Sequence, residues 1–134
     1  MSSDIHDSSG YLLSQICKLY RGLSNKRLEE IGMYKGQELI LCELAQSDGL
    51  TQSELVERLL VQPSTLTNML NTLEKSDLIQ RRQDSIDQRV QRVYLTPTST
   101  ALQPRLQEVW EGVDAVTFAH LSLDERVLMR RLLM

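Results

Sequence analysis

Residues 51–96 read TQSELVERLLVQPSTLTNMLNTLEKSDLIQRRQDSIDQRVQRVYLT, and their pattern decides the fold. Thr51 and Glu54 have the S/T-x-x-E spacing of a capping box, in which the threonine oxygen accepts from the N3 amide and the glutamate accepts from the N-cap amide. Leu50 and Leu55 stand at N′ and N4, the positions of a hydrophobic staple. Leu55, Val56, Leu59 and Leu60 then make one apolar face. Val61-Gln62 is a short break. Pro63 suits the first position of a second helix, where its missing N–H costs nothing.

The second helix, 63–76, carries the functional reading. Leu66, Leu70 and Leu73 fall at i, i+4 and i+7 and form an inward stripe. At about 100° per residue, Ser64, Asn68, Asn71 and Lys75 point the other way, flanked by Thr67 and Thr72. This outward face is polar and almost uncharged. Its short side chains carry donors and acceptors that can approach base edges, where an ordinary solvated helix shows Glu and Lys. Asparagine and threonine each cost a few tenths of a kcal/mol in a helix, a cost that a function would explain. The competing reading is a plain solvated face.

Ser76-Asp77 ends this helix. Leu78 to Arg82 reads as a strand, Gln83 to Arg89 as a polar turn, and Val90 to Leu95 as the return strand, with Val93 and Leu95 on one face and Arg92 and Tyr94 on the other. Between 78 and 95, four arginines against Asp84 and Asp87 give +2. A helix pair followed by a basic two-stranded hairpin is the winged form of the helix-turn-helix. One helix would enter the major groove while the hairpin tip reaches backbone or minor groove. A charged hairpin that blunts a sheet edge is the simpler alternative for these arginines.

Three runs, Leu50-Thr51-Gln52-Ser53-Glu54-Leu55, Pro63-Ser64-Thr65-Leu66-Thr67, and Asp84-x-x-Asp87-x-Arg89 followed by Val93-x-Leu95-Thr96, resemble the MarR (multiple-antibiotic-resistance regulator) family. The last, placed just after Arg81-Arg82, is the most specific. The resemblance implies a homodimeric winged-helix DNA-binding protein, usually a repressor, often released by a small molecule or an oxidant. It implies that Ser64, Thr65, Thr67 and Asn68 lie on the base- and phosphate-contacting helix, that Arg89 is the wing-tip arginine, and that Asp87 is the acid that steadies it. Asn71, Lys75, Arg82 and Arg92 complete the candidate DNA-binding set; Arg81 is the weakest of the wing arginines, because strand alternation can turn it elsewhere. The chain departs from the family pattern at Asn68, where a basic residue is common, at Asp77, where glycine is usual, and at Gln62, a weaker cap than serine. Without an arginine in the first turn, a bidentate fork to guanine is not available there. Asn68 and Asn71 would favour adenine, each at about 1–3 kcal/mol.

Composition bounds the rest. At 134 residues, with 41% apolar residues and a formal net charge of −3, the chain is one domain, with room for an added dimerisation element. It is not a generic polyanion binder, so nucleic-acid binding must rest on local charge. Segment 51–96 holds six basic and six acidic residues, so the positive field is confined to the wing.

The flanks read as helices. Residues 1–10 are polar and read as a flexible N-terminus. From Tyr11, Leu12, Ile16, Leu19 and Leu23 follow 4-3-4 spacing, and Gly32 ends the element. Tyr34 to Gln46 is a second helix, apolar almost all round in its middle and therefore buried. Thr96-Pro97 starts another helix, in which Leu102, Leu106, Val109, Val113 and Val116 form a seam suited to packing on a helix. Ser122-x-x-Glu125 is a second capping box, opening a last helix that stays apolar to the terminus. The expected architecture is mainly α with a small β-wing: a winged helix-turn-helix over 34–96, flanked by dimerisation helices at 11–33 and 97–134.

Cys17 and Cys42 are too few for a disulfide framework. Some relatives by resemblance sense peroxide through a cysteine in their first helix, but counted back from Gly32 that cysteine lies about two helical turns upstream of Cys17. A cysteine-based redox regulator through Cys17 is thus one alternative, and a winged-helix protein-interaction module is another. Cys42 reads as core. His6 lies in the polar tail, and His120 closes a helix; neither has a second ligand at metal spacing, so no metal and no cofactor are expected. Tyr11, Tyr20, Tyr34 and Trp110 are candidates to line a site for a small aromatic or phenolic effector, though packing is their simpler role. No apolar run approaches the ~20 residues of a membrane span and no targeting pattern opens the chain, so a cytoplasmic protein is expected. No nucleophile, base and orienting acid stand at recognisable spacing, and there is no glycine-rich phosphate loop or HExxH. The chain does not read as an enzyme. The expected partners are double-stranded DNA and a second copy of the chain.

Overall fold

A computed structural model describes residues 4–34 and 36–134. The elements run from a 3₁₀ turn (Ile5–Asp7) through α1 (Ser9–Glu29), α2 (Gln37–Gln46), β1 (Leu50–Thr51), α3 (Gln52–Leu59), α4 (Pro63–Lys75), β2 (Ile79–Gln83) and β3 (Gln91–Leu95) to α5 (Pro97–Thr117) and α6 (Leu123–Leu133). This is a mainly helical chain with a small antiparallel sheet, as the sequence predicts.

The capping box at the start of α3 is complete. Thr51 N–H donates to Glu54 Oε2 at 2.9 Å and Glu54 N–H to Thr51 Oγ1 at 3.1 Å. Leu50 and Leu55 are both buried in the core. That core joins Leu28 of α1, Met33 beyond it, Ile40, Leu41 and Leu44 of α2, Leu66, Leu70 and Leu73 of α4, Ile79 and Val93 of the sheet, and Leu106 of α5.

Several boundaries differ from expectation. The first helix starts at Ser9 rather than Tyr11, because Ser8 Oγ accepts from Tyr11 N–H at 3.1 Å and caps it. Residues 4–10, read as part of a flexible tail, therefore hold a 3₁₀ turn and the first helical residues; residues 1–3 lie outside the described residues. The second helix begins at Gln37, not Tyr34, since Gly36 takes a left-handed φ of 91° just before it. Leu60 does not share the apolar face of α3. It ends the helix in the left-handed conformation and is 90% exposed. His120 lies beyond α5, which stops at Thr117.

The wing is a three-stranded sheet of order β1-β3-β2, not a lone hairpin. Leu50 pairs with Val93 and Thr51 with Arg92, while Arg81 faces Val93 and Arg82 faces Arg92 across the second ladder. Gly49 leads into β1 with φ +78°, and a Cβ there would sit 2.9 Å from the Tyr94 ring. Both facts require glycine. At the other end of the hairpin, Asp77 follows α4 with φ 57°, a conformation aspartate tolerates better than most residues. Its carboxylate accepts from Thr98 Oγ1 at 3.1 Å, which ties the end of α4 to the start of α5.

α1 and α5 pack on each other. Tyr20 OH donates to Asp114 Oδ1 at 3.0 Å, and the Tyr20 ring lies against Trp110 and Phe118. Burial first, and then Asp114, push the Tyr20 hydroxyl up to about 12. Leu106 and Val113 of the seam are buried within this same chain, whereas Val116 is exposed. Pro104 sits inside α5; lacking an N–H, it leaves the Thr100 carbonyl without its helical donor.

Candidate nucleic-acid interface

α4 presents the expected polar face. Leu66, Leu70 and Leu73 are buried, and Ser64, Thr65, Thr67, Asn68, Asn71 and Lys75 are all exposed. Gln62 caps the helix with no side-chain hydrogen bond. The amides of Ser64 and Thr65 are thus left for an outside acceptor, the arrangement that favours phosphate at a helix N-terminus. Thr67 Oγ1 donates back to the Pro63 carbonyl at 3.0 Å and Thr72 Oγ1 to the Asn68 carbonyl at 3.1 Å. Each hydroxyl spends its one proton on the helix and keeps its acceptor lone pairs. Asn68 makes no side-chain hydrogen bond to the described residues.

The wing arginines divide by partner. Arg89 lies in the β2–β3 turn with its side chain 91% exposed, and Asp87 holds it through Nε to Oδ1 at 3.1 Å. Arg82 is exposed, and its guanidinium lies 4.7 Å from the centroid of the Tyr94 ring. Arg92 is committed inward: Nε donates to Asp84 Oδ1 at 2.7 Å and Nη1 to the Gly49 carbonyl at 2.9 Å. Asp84 also accepts from the amides of Ile86 and Asp87. Arg92, with these two amides, holds the Asp84 carboxyl down to about 2. The placement of Arg92 suits anchoring the wing more than reaching outward. Arg81 turns toward α4 and bonds Glu74 and Asn71.

The comparisons with known proteins agree with this geometry. The MarR family model matches residues 34–90. The HTH-type transcriptional regulator MgrA of Staphylococcus aureus is 29% identical over 113 residues, covering 84% of this chain and 76% of the relative. A Mycobacterium tuberculosis MarR family protein, Rv2887, in complex with salicylic acid superposes with a TM-score of 0.79 at 26% identity, over 99% of this chain and 97% of that one. A mutant MarR from E. coli, complexed with operator DNA, shares the fold at a TM-score of 0.86 and 24% identity, over 98% and 96%.

The chain is similar to the MarR family over residues 34–90. MarR-family members are transcription regulators, not enzymes, with a winged-helix DNA-binding fold. Among the described residues, no helix is long and apolar enough to cross a membrane.

Sequence reasoning missed three parts of this candidate interface: the Asp84 anchor, the Gly49–Tyr94 contact and the hold of Arg81 on α4. The inward turn of Arg81 was signalled by strand alternation, but not the side chains it meets. The four candidate aromatics do not share one place in the fold. A pocket of about 210 Å³ opens where the connection from α1 to α2 meets α4 and α5, with Met33, Tyr34, Gln37, Thr72, Leu78 and Leu102 in its wall. Of the four candidate aromatics only Tyr34 lines it. Tyr20 and Trp110 pack together, and Tyr11 stands against His6. Cys17 is exposed on α1, while Cys42 is half-buried, and burial pushes its thiol up against a weaker opposing pull from Trp110.

Proposed function

We propose that the protein is a homodimeric repressor in the cytoplasm that binds a pseudo-palindromic operator and is released by a small aromatic or phenolic effector. The observation that carries the operator reading is the outward asparagine-and-threonine face of α4 beside a wing whose Arg89 stands in solvent. α4 would enter the major groove, with half-site centres ~10 bp or a multiple apart. Arg89 would follow the flanking minor groove and phosphates. A second copy is supported by the exposed leucines and isoleucine of α1 and by α6, none of whose residues is buried. The effector is supported by the pocket beside Tyr34 and α4, and by the salicylic acid bound to Rv2887.

Fluorescence anisotropy against a mixed duplex pool at low and high salt tests the reading. A steep salt dependence is expected, since phosphate contacts release counterions; a flat, weak response would count for a protein partner instead. Within that assay, Asn68→Ala should relax base preference at about 1–3 kcal/mol, whereas Arg89→Ala should weaken cognate and random DNA alike and lower the salt slope by about one unit. Equal loss on both DNAs for Asn68→Ala would remove that residue from base readout.

A further inference from the structure

Asn71 lies on the outward face of α4, but its amide is already engaged on one side. Arg81 Nη2 donates to Asn71 Oδ1 at 2.8 Å. The same guanidinium donates through Nε to Glu74 Oε2 at 2.9 Å and through Nη2 to Glu74 Oε1 at 3.3 Å. The Arg81 side chain is only 19% exposed, so it is wedged between β2 and α4. A guanidinium carries N–H donors and no acceptor. The partner therefore decides the sense of the amide: the oxygen faces Arg81 and the NH₂ faces away.

Asparagine reads adenine through two bonds, its oxygen accepting from the N6 amine and its NH₂ donating to N7. Here Arg81 turns the oxygen toward itself, so although the oxygen keeps a second lone pair, the groove meets the donor edge. We propose that Arg81 is a positioning residue that makes Asn71 read through its donor edge, selecting guanine first through its two acceptors N7 and O6 and thymine second through O4, and disfavouring adenine, whose N6 amine donor then meets a donor beside its N7 acceptor. This replaces the adenine preference expected for Asn71 from its residue type alone. It rests on the DNA-binding reading above.

Selection of bound duplexes from a random pool, with wild-type full-length protein and four variants, tests it. The position that Asn71→Ala makes degenerate should carry guanine or thymine in the wild-type motif. At that position Arg81→Met should raise the adenine-to-guanine ratio about tenfold, since the freed amide can turn. Arg81→Lys should retain the wild-type preference, because an ammonium still donates to Oδ1. Asn71→Asp keeps the pair with Arg81 but offers only acceptors, and should move the preference to cytosine, which presents a donor. An adenine lost in Asn71→Ala would overturn the proposal, as would an unchanged preference in a folded Arg81→Met. If Arg81→Met does not fold by circular dichroism, Asn71→Asp decides, and a wild-type preference there is the overturning result. A wild-type protein that enriches no sequence defeats the DNA-binding reading and this inference with it, whereas an enriched motif indifferent to these variants defeats the inference alone.

Discussion

Asp84 receives three hydrogen bonds, from Arg92 Nε and from the amides of Ile86 and Asp87. All three favour its charged form, and its pKa falls to about 2, against ~3.9 for an unperturbed aspartate. The folded value lies below the unfolded one. The contribution of this group to stability is therefore complete above about pH 4 and is lost as pH falls toward 2. Asp84→Asn should accordingly lower the melting temperature at neutral pH, and the gap from wild type should close as pH is taken from about 5 to 2. A gap that stays constant over that range would show that Arg92, Gly49 and the β2–β3 turn hold the wing without this charge. Arg89 and Asp87 form a different kind of pair. Their exposed geometry suggests little for stability, which leaves the Arg89 guanidinium available to phosphate.

At the scale of the elements, the helix-turn-helix carries a conformational cost in its turn. Leu60 ends α3 at φ 53°, ψ 42°, a conformation costing an L-residue roughly 1–2 kcal/mol, and its side chain is exposed and gains nothing from the core. Leu60→Gly should raise stability by about 0.5–1 kcal/mol, the relieved strain less the extra freedom glycine has when unfolded. Thermal melts at one fixed protein concentration check this; a lower melting temperature would mean that Leu60 makes contacts in solution that offset its strain. The same residue marks where the sequence stops being legible. α4 could be read in full, because Leu66, Leu70 and Leu73 repeat at the helical period and their burial fixes which residues face out. The break after α3 was visible too, but a leucine gives no sign that it, rather than Val61-Gln62, makes the turn. β1 was hidden for another reason. Two residues cannot display a period of two, and the pairing of Leu50 with Val93 joins positions far apart in the chain. The direction of Arg81 followed from alternation, yet its meeting with Asn71 and Glu74 depends on how Asp77 aims β2 at α4, which no local pattern encodes.

Taken as a whole, the molecule buries its apolar side chains unevenly. The winged segment is closed around Ile40, Leu55, Leu70 and Ile79, while Leu12, Leu13, Ile16 and Leu19 of α1 and Val127, Leu128, Leu132 and Leu133 of α6 are exposed. An isolated helix of eleven residues is marginal in water, so α6 needs a surface to fold against, and a second copy of these two helices would supply one of matching character. α1 also reaches α2 of the winged segment directly. Arg21 Nη1 donates to Glu38 Oε1 at 3.0 Å, and the Glu38 side chain is fully buried, so removing Arg21 would leave a buried carboxylate without its charged partner. If these helices form the dimer, they set the distance between two copies of α4 and hence the spacing of half-sites. Leu128→Glu with Leu132→Glu should then shift the protein to monomer at micromolar concentration, read by sedimentation velocity, and should weaken binding to a two-site duplex by at least about 100-fold, because the second contact ceases to be intramolecular. Neither leucine belongs to the winged core, so binding to a single half-site duplex should persist at its weak monomeric level. A wild-type protein that sediments as a monomer, or a double variant that remains dimeric with its affinity intact, would place the dimer surface elsewhere and leave the exposed α6 without this explanation.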